Sequence, residues 1–376
     1  MPLRLIIFAS IFLLVMAAAN FYIYRRFFKK LSPHFSQYAA IIPITLMAGE
    51  IFFMLDRVLD LLAQSPLLYM INSAFIGITF MLFVIATIYD LTITTSRRVP
   101  FDQGRRRTIK ILFDITMLIA ATAYLLRGFS QGIKAPGINS VEVKIKDFPI
   151  DNYSIVQLSD VHVGRTIKRG FIEETVARTN ALHPDMVVIT GDLIDLPLED
   201  IRQDLEPLQR LQCPCYFILG NHEYFHGAEP VIEYLRTLGI RPLLNESEVI
   251  EKSGQQFNLV GVNDVIGERI GSLPLDFDRA FDGVDTNIPT ILLCHQPKGI
   301  NLIKEHQFDL MLSGHTHGGQ IFPFGFLVMI DQPYLAGLHR HDARRQIFVS
   351  RGTGYWGPPL RVLAPSEISH IIISAG

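Results

Sequence analysis

Apolar and polar positions divide the chain into two parts with different rhythms. Over the first third, apolar residues run in four long blocks, residues 3–24, 38–55, 67–91 and 109–126. A helix needs about 20 apolar residues, within a range of roughly 17–25, to cross a bilayer core. The blocks fit that range and predict four transmembrane helices. From Val141 onward the blocks give way to short apolar runs bounded by turn residues. Residues 154–158, 186–190, 215–219, 258–262, 290–294, 310–313, 347–350 and 369–374 read as strands. Helix-period patterns at 170–182, 201–212, 229–238 and 299–306 fall between several of them. Such alternation predicts an α/β domain. Residues 128–138, short, polar and Gly-containing, read as a linker. The expected organisation is a transmembrane region over 1–136 and a second domain over 137–376.

Charge sharpens the division. Residues 1–136 carry 14 Lys+Arg against 6 Asp+Glu, and the remainder carries 20 against 30. An acidic second half argues against nucleic acid as a partner. The first loop between apolar blocks holds Arg25, Arg26, Lys29 and Lys30, and the third holds Arg97, Arg98, Arg105, Arg106 and Arg107. The second has only Arg57 against Asp56 and Asp60. Lys/Arg-rich loops stay in the cytoplasm. The expectation is a multi-pass protein of the inner or plasma membrane whose N-terminus and second domain are extracytoplasmic. A rival reading takes 3–19 as a signal peptide cleaved at Ala17-Ala18-Ala19; the positive cluster follows the apolar run, which suits an anchor better. Cleavage would leave three spans and reverse the topology. Glu50, Asp90 and Asp114 fall in or beside spans, the last two near ends where they reach the interface, while Glu50 is deeper, with a structural or a functional role. The three cysteines, Cys213, Cys215 and Cys294, lack zinc-finger spacing. The Cys-Pro-Cys pair would close a strained ring, so free thiols are expected.

Candidate chemistry lies at the strand ends. The first strand runs into Ser159-Asp160-Val161-His162, the second into Gly191-Asp192-Leu193-Ile194-Asp195, and the third into Gly220-Asn221-His222-Glu223. The fifth ends in Cys294-His295-Gln296-Pro297, and the sixth is followed by Gly314-His315-Thr316-His317-Gly318-Gly319. The carboxyl ends of strands in α/β sheets are where sites are built. A single Asp-x-His or Asn-His is most simply a turn; five in an ordered series are a site. Asp160, Asp192 and Asn221 offer oxygens, and His162, His295, His315 and His317 offer imidazoles. This mixed set suits Mn, Fe or Zn better than a thiolate zinc site. Seven ligands exceed one tetrahedral site, so two divalent ions are implied, the usual clamp for in-line phosphoryl displacement.

The series Asp160-x-His162, Gly191-Asp192, Gly220-Asn221-His222-Glu223, His295 and Gly314-His315-x-His317 resembles that of the calcineurin-like metallophosphoesterases. The resemblance covers about residues 141–376. Ser350-Arg351-Gly352-Thr353-Gly354 and Pro359-Leu360-Arg361 are similar to its membrane-anchored YkuE/YaeI-like branch; the helical front end is outside the family pattern. It implies a metallophosphoesterase β-sandwich flanked by helices. It also implies that Asp160, His162 and His317 hold one metal, that Asn221, His295 and His315 hold the other, and that Asp192 and a hydroxide bridge them. That hydroxide would attack phosphorus directly, with His222 as the catalytic acid oriented by Glu223. Arg361 is open to binding a substrate phosphate or to a structural salt bridge. His183, His226, His306, His339, His341 and His370 match no ligand position; His226 is the one placed to approach substrate.

The leading expectation is a membrane-anchored, metal-dependent phosphohydrolase, a phosphatase or phosphodiesterase, with a lipid-linked or envelope phosphoester among its candidate substrates. A transporter or sensor regulated by a phosphoesterase-like domain is the alternative, and a metal-binding scaffold without activity is a third.

Overall fold

The structure is a computed structural model and describes residues 3–31, 38–62, 65–96 and 103–376. The chain forms two compact units, Met1–Ile133 with Gly357–Val362, and Lys134–Trp356 with Leu363–Gly376.

The first unit is helical: α1 (Leu3–Arg26), α2 (Ile41–Leu59), α3 (Pro66–Ser96) and α4 (Gln103–Gly132). α1 runs unbroken through Ala17–Ala19, and basic Arg25 and Arg26 fill its last turn, where they complement the helix dipole. α2 stops at Asp60, which turns left-handed at φ 51°. Ile23, Phe27, Leu82, Ile85 and Tyr89 pack the interior, while Phe8, Leu14, Leu67, Leu91 and Ile119 stay exposed. The buried carboxylates of this unit have partners. Glu50 is fully buried and accepts hydrogen bonds from Asn20 Nδ2 (2.9 Å) and Thr79 Oγ1 (2.5 Å). Asp114, expected at the interface, is buried and accepts from Tyr89 Oη (2.7 Å) and Lys110 Nζ (2.6 Å). Asp90 pairs with Lys30 at 2.5 Å. Arg361 is also fully buried, with its N–H donated to Gly128 O at 3.0 Å, so it is not presented as a surface phosphate ligand.

Four apolar blocks were expected to span. Among the described residues, three helical stretches are long and apolar enough to cross a membrane: Ile6–Lys30, Pro66–Thr95 and Thr108–Gly132. α2 differs because its 19 residues include Glu50, Asp56 and Arg57. Of the third loop's basic residues, Arg97 and Arg98 lie outside the described residues.

The second unit pairs two six-stranded sheets. The first contains β1 (Gly137–Ile145), β2 (Tyr153–Leu158), β3 (Met186–Thr190), β4 (Cys215–Ile218), β5 (Ile240–Pro242) and β12 (Glu367–Ala375), in the order β1-β12-β2-β3-β4-β5. The second contains β6 (Glu246–Lys252), β7 (Gln255–Gly261), β8 (Thr290–Leu293), β9 (Leu310–Ser313), β10 (Gly337–Arg340) and β11 (Gln346–Val349), in the order β10-β11-β9-β8-β7-β6. β2, β3 and β4 run parallel, with Val156 opposite Val187 and Val187 opposite Cys215. β7, β8 and β9 are likewise parallel, with Leu292 opposite Met311. Both sheets are mixed, because β12 runs antiparallel to β2 and β6 antiparallel to β7.

Phe257, fully buried, packs between the sheets against Phe148 and Tyr153, with ring centroids 5.3 and 5.0 Å away. The outer face of the first sheet is covered by α5 (Arg169–Asn180), α6 (Leu198–Leu205) and α8 (Ala228–Thr237) through Ile172, Val176, Ile201, Leu205, Val231 and Leu235. A short α7 (Asn221–His226) opens immediately after β4. Ile300, Ile303 and Phe308 cover the second sheet. The helix expected at 299–306 is only a 3-10 turn, Pro297–Asn301. The expected linker is also shorter, since α4 continues to Gly132 and β1 begins at Gly137. β1, β5, β6 and β10 had no counterpart among the expected strands. All four are sheet edges, where side chains alternate with solvent or the strand is short.

One buried side chain ties the sheets together below the strand ends. Gln157 of β2 donates from Nε2 to Thr190 Oγ1 (2.8 Å) and to Ser313 O at the end of β9 (2.9 Å). Gln157→Leu would strand the Thr190 hydroxyl in the interior, at a cost of about 1–3 kcal/mol. The midpoint of thermal unfolding of the full chain in detergent should fall by several degrees. An unchanged midpoint would show that the link is dispensable.

Candidate metal centre

The strand-end turns are strained as well as ordered. Asp160 (φ 52°), His162 (56°), Asp192 (51°), His315 (69°) and His317 (50°) all sit in the left-handed region without being glycine. Each such residue costs of order 1–3 kcal/mol and persists only where its surroundings enforce it. Two glycines make room. A Cβ on Gly191, itself at φ 84°, would come within 2.5 Å of Gly220 N, and one on Gly314 would collide with the Asp160 carboxylate. The turns therefore stack on one another, and side chains larger than hydrogen are excluded where they touch.

The enforcing group is Glu223. Its fully buried carboxylate accepts backbone N–H bonds from Gly220 (2.7 Å) and Asp192 (2.9 Å) through Oε2, and from Leu193 (2.8 Å) and Ile194 (3.3 Å) through Oε1. It thus clamps the β3 turn to the β4 turn. Glu223 thereby holds the turn on which His222 stands. The carboxylate against the His222 imidazole is that of Asp195, with Oδ1 2.6 Å from His222 Nδ1. Asp195 ends the Gly191–Asp195 segment that follows the second expected strand. Its signal was there, an acid three residues beyond the expected bridging aspartate, on the same turn.

The seven expected ligands come from both sheets. Asp160, His162 and His317 form one group and Asp192, His295 and His315 another, the ligand atoms within each lying within 4.8 Å of one another. A third group, His162, Asp192 and His222, links them, so Asp192 belongs to two. His162 Nε2 lies 3.0 Å from His317 Nε2, His317 Nε2 3.6 Å from Asp160 Oδ1, and His295 Nε2 3.2 Å from Asp192 Oδ2. Asn221, the first residue of α7, is on the adjoining turn, where the N–H of His222 donates to Asp192 Oδ1 at 2.8 Å. Among the described residues, His226 is the unassigned histidine that joins a group of this kind, with Asp195 and His222.

The far side of each group is fixed by hydrogen bonds. His162 Nδ1 is 2.8 Å from Asp195 Oδ1, and His295 Nδ1 is 2.8 Å from Thr190 O. The Asp160 carboxylate accepts from Ser159 Oγ (2.6 Å) and from the N–H of His315 (2.8 Å). Partners of this type set the ring orientation and leave the opposite nitrogen facing the site.

Burial resists charge throughout, and proximity overrules it selectively. Asp192 is desolvated, yet the His295 and His222 imidazoles hold its carboxyl well below the usual range. Burial likewise opposes the His222 cation, but Asp192 and Asp195 push its pKa up to about 9. For Asp160 burial wins and the pKa rises; burial and the neighbouring His295 take His315 down to about 3. The donor set fits a divalent cation on independent grounds. His295 Nε2 and Asn221 Oδ1 are buried without an aligned hydrogen-bond partner. Leaving such a group unsatisfied costs about 1–3 kcal/mol, which a bound cation relieves.

Comparison with known proteins agrees with this geometry. The family model described as calcineurin-like phosphoesterase matches residues 153–319. An uncharacterized metallophosphoesterase of Helicobacter pylori is 37% identical over 371 residues, covering 96% of each chain. A transmembrane protein with metallophosphoesterase domain from Danio rerio is 31% identical, over 86% of this chain and 76% of its own. The phosphodiesterase YaeI of Escherichia coli is 31% identical, over 54% of this chain and 75% of its own. The similarity to a named transmembrane protein, with the three apolar helices, supports membrane association. Identity at this level along nearly the whole of a relative, with the site built as above, makes the chain a member of the calcineurin-like metallophosphoesterase family.

Proposed function

We propose that the protein is a membrane-anchored phosphohydrolase that cleaves a phosphomonoester or phosphodiester at a dinuclear metal centre. The observation that carries the reading is Asp192, whose carboxylate groups with His295 and His315 of one ligand set and, in a further cluster with His222, with His162 of the other. In this reading Asp160, His162 and His317 would hold one ion and Asn221, His295 and His315 the other, with Asp192 offering its carboxylate to both. Mn, Fe and Zn all suit the donors. Two such ions would supply Lewis acidity and lower the pKa of water so that a nucleophile is available at neutral pH.

The remaining chemistry belongs to the chain. His222 stands beside Asp192 with one nitrogen toward it and the other toward Asp195, so it can hold a proton and pass it to the leaving oxygen. Asp195 fixes the ring and supports its charged form. Glu223 holds the two turns in register and takes no part in proton transfer. The catalytic domain is 137–376, and 1–136 is the membrane region. A transporter reading would need polar side chains lining a path, and the buried acids here are occupied, Glu50 by Asn20 and Thr79 and Asp114 by Tyr89 and Lys110.

We place four crossings and an extracytoplasmic catalytic domain, following the basic first and third loops. α2 can be the fourth span because its acids are satisfied internally: Glu50 as above, and Asp56 by the N–H of Leu62 at 2.7 Å.

Two outcomes test this account. His222→Ala should retain metal but lower kcat by about 10²–10⁴, the range for a general acid. The loss should shrink for a nitrophenyl leaving group, which departs without a proton, and Asp195→Asn should show the same leaving-group dependence more weakly. Equal losses for nitrophenyl and alkyl esters in steady-state kinetics would remove His222 from that role. For topology, alkaline phosphatase fused after Gly376 should be active and green fluorescent protein dark; the reverse pair would place the domain in the cytoplasm.

A further inference from the structure

The turn that carries His315 and His317 continues into an exposed apolar lip. Phe322, Phe324, Phe326, Leu327, Met329 and Ile330 all lie within nine residues, and all are exposed, Phe326 to 69% and Ile330 to 81%. No charged residue interrupts 321–330. The lip is not loose chain. Its backbone closes on itself through Phe324 N to Ile321 O (2.8 Å), Leu327 N to Phe324 O (2.9 Å), Met329 N to Gly325 O (3.0 Å) and Gln332 N to Val328 O (3.0 Å). The short helix α9 (Gly325–Val328) forms its centre. A segment whose backbone polar groups are satisfied internally can enter an apolar medium at low cost.

The lip is built onto the candidate site from two sides. Gly325 lies so close to Gly319, two residues after His317, that a Cβ on Gly319 would come within 2.5 Å of it. At the other end Gln332 accepts from Lys298 N (3.0 Å) and donates to Gln296 Oε1 (3.2 Å), beside His295. Gln320 also exchanges two hydrogen bonds with the backbone of Trp356, at 2.9 and 3.1 Å. The Trp356 and Phe225 rings stand 6.0 and 5.7 Å from that of His222, and both are about half exposed. The rim around an acid- and histidine-lined site is thus apolar and aromatic, although phosphoesters themselves are polar. Exposed apolar patches of this kind mark sites of interaction. Trp, Phe and Leu are the side chains with which interfacial segments enter the boundary between headgroups and acyl chains. The same chain supplies the bilayer: only four residues, roughly 14 Å of extended chain, separate α4 from β1.

We propose that residues 322–330 form a membrane-docking lip that seats the site rim in the headgroup layer, so that its substrate is a phosphoester carried on a lipid. The docking half stands on the lip alone; the substrate half rests on the phosphoesterase reading. The chain contains a single tryptophan, Trp356, on that rim, which makes it a built-in depth probe.

The experiment uses the full chain in phosphatidylcholine nanodiscs with and without lipid brominated near the headgroup. Trp356 fluorescence should be quenched by the brominated lipid and shielded from aqueous iodide. Each large apolar side chain withdrawn from the interface weakens partitioning by roughly tenfold. The pair Phe326→Ser, Ile330→Ser should therefore lose the quenching, and Phe326→Leu, Ile330→Leu should keep it. No quenching in the unaltered chain, with full iodide access, overturns docking and leaves the lip to a protein partner. Quenching undiminished in the serine pair also overturns it. For the substrate, 4-nitrophenyl oleyl phosphate in the discs is compared with soluble bis(4-nitrophenyl) phosphate. The serine pair should lower kcat/KM about tenfold or more for the lipid ester alone. Equal losses overturn the lipid-substrate half. No turnover of the soluble ester by the unaltered chain, loaded with manganese, would instead count against the phosphoesterase reading.

Discussion

The carboxylate of Glu223 is the interaction on which the site depends. It is fully buried, and it collects backbone N–H groups from the turns after β3 and β4. A buried carboxylate is costly to desolvate, and several N–H donors are what make it tolerable. Here burial and the nearby Asp192 outweigh those donors and lift its pKa to about 7. The clamp sets the position of Asp192, whose own N–H it binds. The position of Asp192 in turn decides whether ligands from two different sheets can face one centre.

Around that clamp the structure accepts backbone strain. Asp160, His162, Asp192, His315 and His317 are all left-handed, an unusual concentration for residues with side chains. The sandwich beneath supplies rigidity through its parallel central strands, and Gln157 links the two halves directly under the turns. The division of labour among the acids follows from their surroundings. Asp195 serves two imidazoles, His162 and His222, which hold its carboxyl far below the usual range despite burial. It therefore joins the first ligand group to the proton-transfer residue, so a change at Asp195 should be felt at both.

The central strands, the ordered turns and the ligand types were legible in the sequence because each reflects a local constraint. A strand buried on both faces is near-continuously apolar, as Met186–Ile189 is, and a site at strand ends must place its acids and imidazoles directly after such runs. β1, β5, β6 and β10 were not legible for the converse reason. As edges they carry polar residues such as Glu246, Glu248 and Glu251, or are only three residues long like β5. The role of Glu223 was also hidden, since sequence gives its neighbour His222 but not the direction in which a side chain points. α2 reads as an apolar block until Glu50, Asp56 and Arg57 are counted. Asp56 is met locally by the N–H of Leu62, and the pairings of Glu50 with Asn20 and Thr79 exist only once the helices are packed.

The account stands on two ions sharing one carboxylate. Electron paramagnetic resonance of the full chain loaded with manganese reads that directly, because ions about 3.5–4 Å apart are magnetically coupled. The expected spectrum is the many-line signal of an exchange-coupled pair, collapsing to that of isolated ions in Asp192→Ala. A six-line signal of isolated manganese from the unaltered protein at full loading would contradict the shared centre.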